Sequence, residues 1–129
     1  MRLLVDTHVL LWAIAEPQKL PASARSMLQA AENDVLFSAV SIWEMAIKLQ
    51  IGRLTLPVEL EDIMRAAGQM GFTELPVSAA HAAGVRHLPS HHRDPFDRLL
   101  IAQALHEPAR LLTADRTLSR YSDLVDVID

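Results

Sequence analysis

Short apolar runs alternate with longer segments of helical period along this chain. Leu3-Leu4-Val5 is an apolar run stopped by Asp6-Thr7, and residues 9–15 then crowd apolar side chains into a helical stretch halted by Glu16-Pro17. Residues 21–32 place Ala22, Met27, Leu28 and Ala31 among good helix formers, and Val35-Leu36-Phe37 reads as a second buried strand. Ser38 stands where a helix can begin, residues 39–51 continue it, and Gly52 is placed to stop it. Residues 60–70 form an amphipathic helix ended by Gly71, residues 72–77 a third strand with Pro76 near its end, and Ser78 starts a short helix. After a loop at 88–93, Asp94-Pro95 opens a helix over 96–106, followed by a fourth strand at 110–113. A helical turn at 115–121 and an edge strand at 125–128 complete the pattern.

Short strands without polar alternation are buried on both faces, and helices between them imply parallel pairing. The expected fold is therefore α/β, a three-layer α/β/α sandwich with a mostly parallel central sheet, in a single domain over residues 1–129. In such sheets ligands bind beyond the carboxyl ends of the strands. Asp6 and Asp115 follow strands directly, Glu44 lies in the first turns of the helix after the second strand, and Asp97 opens the helix before the fourth. All four can project over one edge.

Composition narrows the chemistry. With half of the residues hydrophobic the chain can build a core, and with no Cys it has no disulfide, thiolate zinc site or cysteine nucleophile. A reducing cytoplasm is the expected setting. The first fifteen residues have a faint signal-peptide pattern, but Asp6 and His8 interrupt its apolar stretch, and no apolar run is long enough for a membrane span. The formal charge of -4 argues against passive coating of nucleic acid. Acids gathered round cations reverse the local sign, so a nuclease stays open.

Each acid has a structural reading beside a functional one. Asp6 can cap the following helix, yet its neighbours Leu3, Leu4, Val5, Val9 and Leu10 put the carboxylate at the border of the core, where acids are costly unless paired or metal-bound. Glu44 fits a capping box with Ser41 and an ion pair with Lys48, but the rest of its helix is largely apolar. Asp94 reads as a helix cap, and Asp97 shares the side on which Leu100, Ile101 and Ala104 recur. Asp115 can cap the turn containing Leu118, with the Thr113 hydroxyl two residues earlier. Coincidence explains one or two such placements better than four.

His91-His92 could suggest acid–base cleavage of RNA, but adjacent histidines on a loop read more simply as solvated surface. Arg93, Arg98 and Arg116 are candidates for phosphate contact around the acids, with plain solubilisation as the alternative.

Four blocks carry a resemblance over almost the whole chain: Val5-Asp6-Thr7-His8-Val9-Leu10, Ser41-Ile42-Trp43-Glu44, Asp94-Pro95-Phe96-Asp97-Arg98-Leu99-Leu100-Ile101-Ala102 and Leu112-Thr113-Ala114-Asp115. Together, and in this order, they resemble the PIN-domain nucleases and more narrowly the VapC-type toxins of toxin–antitoxin systems. The resemblance implies a PIN-like fold and an endoribonuclease using Mg2+ or Mn2+. It also implies inhibition by an antitoxin whose tail enters the acidic groove, and assembly as a homodimer or higher homo-oligomer. Matched residue by residue, it assigns metal-site roles to Asp6, Glu44, Asp97 and Asp115, with Thr7 and Thr113 as polar support; Asp94, beside Asp97, leaves open which acid reaches the metal.

Oxygen-only ligands agree with this, since they select hard cations. One or two cations would bind the phosphate, activate a water for in-line attack and stabilise the leaving oxygen, giving 5'-phosphate and 3'-hydroxyl ends. Two rivals differ in kind. An aspartyl-phosphate phosphatase with Asp6 as nucleophile wants a second Asp two residues on, where this chain has His8. A non-catalytic PIN-like binding module would not need all four acids. A DNA nuclease is the third alternative, because a metal–phosphate site does not itself read the sugar.

Overall fold

The computed structural model describes residues 1–128, so Asp129, the last position of the expected domain, lies outside the described residues. Five strands form one sheet: β1 (Arg2–Val5), β2 (Asp34–Ser38), β3 (Thr73–Leu75), β4 (Arg110–Thr113) and β5 (Val125–Val127). Six α-helices connect them: α1 (Thr7–Ala15), α2 (Ala22–Gln29), α3 (Ala39–Gln50), α4 (Leu60–Gln69), α5 (Ala79–Gly84) and α6 (Pro95–His106).

The strand order is β3-β2-β1-β4-β5, and all four pairings are parallel. The chain runs outward from β1 through β2 to β3, then crosses back to lay β4 on the other side of β1. The order thus reverses between β1 and β4, where a parallel sheet opens a crevice at its carboxyl end. In the register, Val5 stands opposite Leu112, and the backbone N–H of Asp6 still donates to the Leu112 carbonyl at 3.0 Å. Asp6 is therefore fixed to the neighbouring strand before the chain turns into α1.

Side chains alternate across the sheet as a two-faced core requires. Leu3 and Val5 join Val35, Phe37 and Leu112 against α1, α2 and α4, while Leu4, Leu36 and Leu111 face α6 through Leu100, Ile101 and Ala104. Fully burying one such Leu or Val contributes roughly 1.5–3 kcal/mol. The central strands can therefore offset the cost of holding a buried acid at their end. Helix α3 touches both layers, with Met45 in the first cluster and Val40 in the second.

Several boundaries differ from the sequence pattern for local reasons. Helix α2 ends at Gln29 rather than running to residue 32, because the chain turns there to enter β2; the Asn33 side chain donates to the Met27 carbonyl at 2.9 Å and closes that turn. Helix α1 begins at Thr7, two residues early, with Asp6 as its cap. Strand β3 is only three residues long and stops before Pro76, which has no N–H for a ladder. Gly52 and Gly71 have φ of 76° and 88°, the left-handed turns that end α3 and α4. Among the described residues no helix is long and apolar enough to cross a membrane.

Candidate active site

The crevice at the switch point is a cavity of about 280 Å3 lined by Asp6, His8, Trp12, Glu44, Lys48, Asp94, Asp97, Ala114 and Asp115. All four acids singled out in the sequence meet there, with Asp94 as a fifth carboxylate. A cleft between Ala13, Leu20, Leu28 and Phe72 is comparable in size but offers no cluster of acids or histidines.

Asp6 retains 4% exposure, and both of its oxygens are engaged. Oδ1 accepts the backbone N–H of Val9 at 2.8 Å, capping α1, and Oδ2 accepts the hydroxyl of Thr113. Burial pushes its pKa up; the Thr113 and Val9 bonds oppose the rise, and His8 opposes it further. An oxygen pair already serving as cap and acceptor is poorly disposed to attack a phosphate, which disfavours the aspartyl-phosphate alternative.

Glu44 is 3% exposed. The capping box expected with Ser41 does not form, because α3 starts one turn earlier: Ser38 is its cap and accepts the N–H of Val40 at 3.0 Å. Glu44 is thereby released from a local backbone role. Its Oε1 accepts the Thr7 hydroxyl at 2.7 Å, and Oε2 pairs with Lys48, as the four-residue spacing suggested. Thr7 also lies 3.0 Å from the Ser41 hydroxyl, so α1 and α3 are joined by a buried polar contact. The Glu44 bond holds the Lys48 ammonium above its ordinary pKa.

Asp94 caps α6 as the sequence suggested, its Oδ1 accepting from Phe96 N at 2.8 Å and Asp97 N at 3.3 Å. That geometry sets Asp97 in the first turn, facing the cavity. Its carboxyl is pushed up to about 7, first by burial, then by the negative charges of Asp94, Asp6 and Glu44, with His92 opposing. Asp115 caps the 3-10 turn Arg116–Arg120 through Thr117 N at 2.9 Å, and its own N–H donates to Thr113 Oγ1 at 3.0 Å.

His92 is the clearest residue that the sequence pattern missed. Adjacent histidines on a loop read as solvated surface, yet the His92 Nε2 stands 3.2 Å from Asp115 Oδ2 and 3.7 Å from Asp97 Oδ2. His92, Asp97 and Asp115 offer atoms that all lie within 4.8 Å of one another. The available signal was its place two residues before the cap of α6. His8 and Lys48 also reach the cavity wall.

The three arginines are not among the residues lining the cavity. Arg98 is engaged elsewhere: its guanidinium donates to the carbonyls of Pro89 at 2.8 Å, Val85 at 3.3 Å and Leu88 at 3.4 Å, and to the Tyr121 hydroxyl at 3.3 Å. It clamps the loop before α6. Arg93 and Arg116 lie exposed on the loop before α6 and on the turn after β4.

The fit to a cation follows from this geometry. Five carboxylates line the cavity against a single Lys or Arg, Lys48, and burial, together with repulsion from its acidic neighbours, raises the Asp97 carboxyl to about 7. A divalent cation relieves that repulsion, and carboxylate oxygens suit a hard one. A second His/Glu group, His81, His106 and Glu107, sits at the opposite end of the sheet, where Glu107 also binds Arg2 at 3.1 Å. There His81 Nδ1 accepts the Ser78 N–H at 3.0 Å, so its Nε2 keeps the proton that bridges to Glu107 at 2.7 Å. That group is a structural lock.

Known proteins agree with this architecture. Ribonuclease VapC22 of Mycobacterium tuberculosis is 34% identical over 120 residues, spanning 89% of this chain and 88% of the relative. A chain of the VapBC2 crystal structure from Rickettsia felis, bound to a promoter DNA fragment, superposes with a TM-score of 0.71 at 18% identity, covering 100% of both chains. FitAcB from Neisseria gonorrhoeae gives a TM-score of 0.62 at 19% identity, covering 98% of this chain and 96% of that one; at these identities the two structures speak for the fold. The family model described as the PIN domain matches residues 3–124, and the chain therefore belongs to the PIN-domain family.

Proposed function

We propose that this chain is a Mg2+- or Mn2+-dependent endoribonuclease that acts in the cytoplasm as the toxin of a toxin–antitoxin pair. The observation that carries the reading is the convergence of Asp6, Glu44, Asp97 and Asp115, from separate β/α units, on one cavity at the switch point of the sheet. The ribonuclease name of the relative at 34% identity supports RNA as the substrate over DNA.

Asp6, Asp97, Asp115 and Glu44 hold the cation in this reading. Thr113 fixes Asp6, Thr7 fixes Glu44, and Asp94 fixes the start of α6 while adding its own charge. When bound, the cation neutralises the scissile phosphate and lowers the pKa of the attacking water. The chain's own contribution is to hold four carboxylates in place before substrate arrives, so little reorganisation is needed during reaction. In this reading Arg93 and Arg116, exposed outside the cavity, meet flanking phosphates.

An acid-lined cavity also suits a cationic segment of an antitoxin, and the VapBC2 neighbour is such a toxin–antitoxin structure. Trp43 keeps 53% of its surface exposed and meets Phe96 edge-on with ring centroids 4.9 Å apart. This aromatic pair beside Glu44 and Asp97 supports assembly with a second copy of the chain.

The test is cleavage of mixed structured RNAs, including RNAs from the native host, with and without Mg2+ or Mn2+. The intact protein is compared with Asp6→Asn and Asp97→Asn, and the product ends are mapped. Metal-dependent cuts leaving 5'-phosphates and lost in both variants are expected. Cleavage that survives EDTA and both substitutions defeats the site.

A further inference from the structure

His92 lies on the loop between the turn Val85–His87 and α6, and its ring is held on two sides. The backbone N–H of Asp94 donates to Nδ1 at 3.0 Å. A ring nitrogen that accepts from an amide carries no proton of its own, so the ring N–H sits on Nε2. That N–H is directed at Asp115 Oδ2 at 3.2 Å, with Asp97 Oδ2 at 3.7 Å. The backbone N–H of His92 donates to the Tyr121 hydroxyl at 2.8 Å, and the Tyr121 ring meets His91 edge-on. One imidazole therefore links the residue that caps α6 to the acid that caps the turn after β4.

These bonds separate two roles open to a histidine among carboxylates. A cation ligand must aim an unprotonated nitrogen at the metal, and the lone pair available on this ring, at Nδ1, is already directed at the Asp94 amide. A donor to a ligating carboxylate must instead present an N–H, and Nε2 presents one to Asp115. We propose that His92 is a positioning residue of the acidic site: its Nε2–H orients Asp115, and with it Asp97, toward a divalent cation that stays on oxygen ligands. The inference rests on the metal-dependent reading above and deepens it. It makes the site one for hard cations such as Mg2+ and Mn2+, in spite of the imidazole at its edge.

The experiment is a Mn2+ titration of the full chain, followed by the electron paramagnetic resonance of free Mn2+, for the parent, His92→Ala and His92→Gln. Pulsed resonance on the loaded parent reads nitrogen coupling at the metal, and a thermal melt in EDTA confirms that each variant is folded. A Gln amide can present an N–H near the place of Nε2, whereas Ala presents nothing. The expected result is affinity weakened about 10–100-fold in His92→Ala, largely recovered in His92→Gln, with no directly bound imidazole nitrogen in the parent. Parent-like affinity in folded His92→Ala overturns the proposal. So does strong imidazole coupling, which would make His92 a ligand, or equal loss in Ala and Gln. If His92→Ala does not fold, the Gln affinity and the nitrogen coupling still decide. A parent that binds no Mn2+ fails the metal reading itself, and that failure is visible before any variant is compared.

Discussion

The hydroxyl of Thr113, the last residue of β4, donates to Oδ2 of Asp6, the first residue beyond β1. The same threonine oxygen accepts the backbone N–H of Asp115, and the other oxygen of Asp6 accepts the N–H of Val9. One buried side chain thus sets the positions of two acids that lie far apart in sequence. The contact bridges the pair of strands where the sheet order reverses.

Thr113→Val tests that relationship with almost no change in shape. It leaves a buried oxygen of Asp6 and the Asp115 N–H without their partner, at a cost of about 1–3 kcal/mol. The expected outcome is a lower urea midpoint with an unchanged slope, and cleavage reduced about 10–100-fold through the misplaced acids. A variant as stable and as active as the parent would show that Thr113 merely fills space.

Asp97 predicts an unusual dependence of stability on pH. Its carboxyl titrates at about 7 in the folded chain against an ordinary 3.8, so between those values the folded state keeps a proton that the unfolded state has released. Without a cation, its contribution is therefore full below about pH 4, falls as pH rises through the window, and levels off above about 7. Asp97→Asn should flatten this slope. At pH 8 in EDTA the variant should be the more stable by on the order of 2 kcal/mol, allowing for solvent at a partly exposed group, while losing cleavage. Urea denaturation at pH 5 and pH 8 checks it; a variant less stable than the parent at pH 8 contradicts the argument.

A bound cation should offset the repulsion among these carboxylates. Adding Mg2+ or Mn2+ at a hundred times its dissociation constant stabilises the folded state by about 2.7 kcal/mol. At one fixed cation concentration the gain should be larger at pH 8 than at pH 5, because protons compete for Asp97 at the lower pH and weaken the binding. Removal by EDTA should lower the melting temperature and abolish cleavage together. Melts in matched buffers measure it, and equal stabilisation of Asp97→Asn would place the cation elsewhere.

The sheet was legible because β1, β2 and β4 are apolar on both faces, which only a covered parallel sheet rewards. The acids were legible because each sits at a strand end or helix start, positions whose side chains converge in such a fold. What the sequence left ambiguous was local versus distant partnership. Glu44 matches a capping box in sequence, and only the earlier cap at Ser38 frees it for Thr7. His92 belongs to the site through Asp115, just beyond β4, and Asp97 on α6, contacts that no periodicity encodes. The strand boundary at Leu75 and the end of α2 likewise depend on where neighbouring strands stop.

Arg98 and Arg93 offer a test of which arginines are structural and which meet the substrate. The Arg98 guanidinium reaches the carbonyls of Val85, Leu88 and Pro89 with a planar fork that a Lys ammonium cannot reproduce. Arg98→Lys should cost about 2 kcal/mol and quicken amide exchange over residues 85–93, with His92 loosened as a consequence. RNA binding of the charge-removing Arg98→Gln, measured in the Asp97→Asn background so that no cleavage intervenes, should keep the parent's salt dependence. Arg93→Ala should do the opposite: stability unchanged, and the slope of log affinity against log salt reduced by about one phosphate contact. If Arg98→Gln instead leaves exchange untouched and lowers the salt slope by about one phosphate contact, the guanidinium serves the RNA phosphates rather than the loop carbonyls.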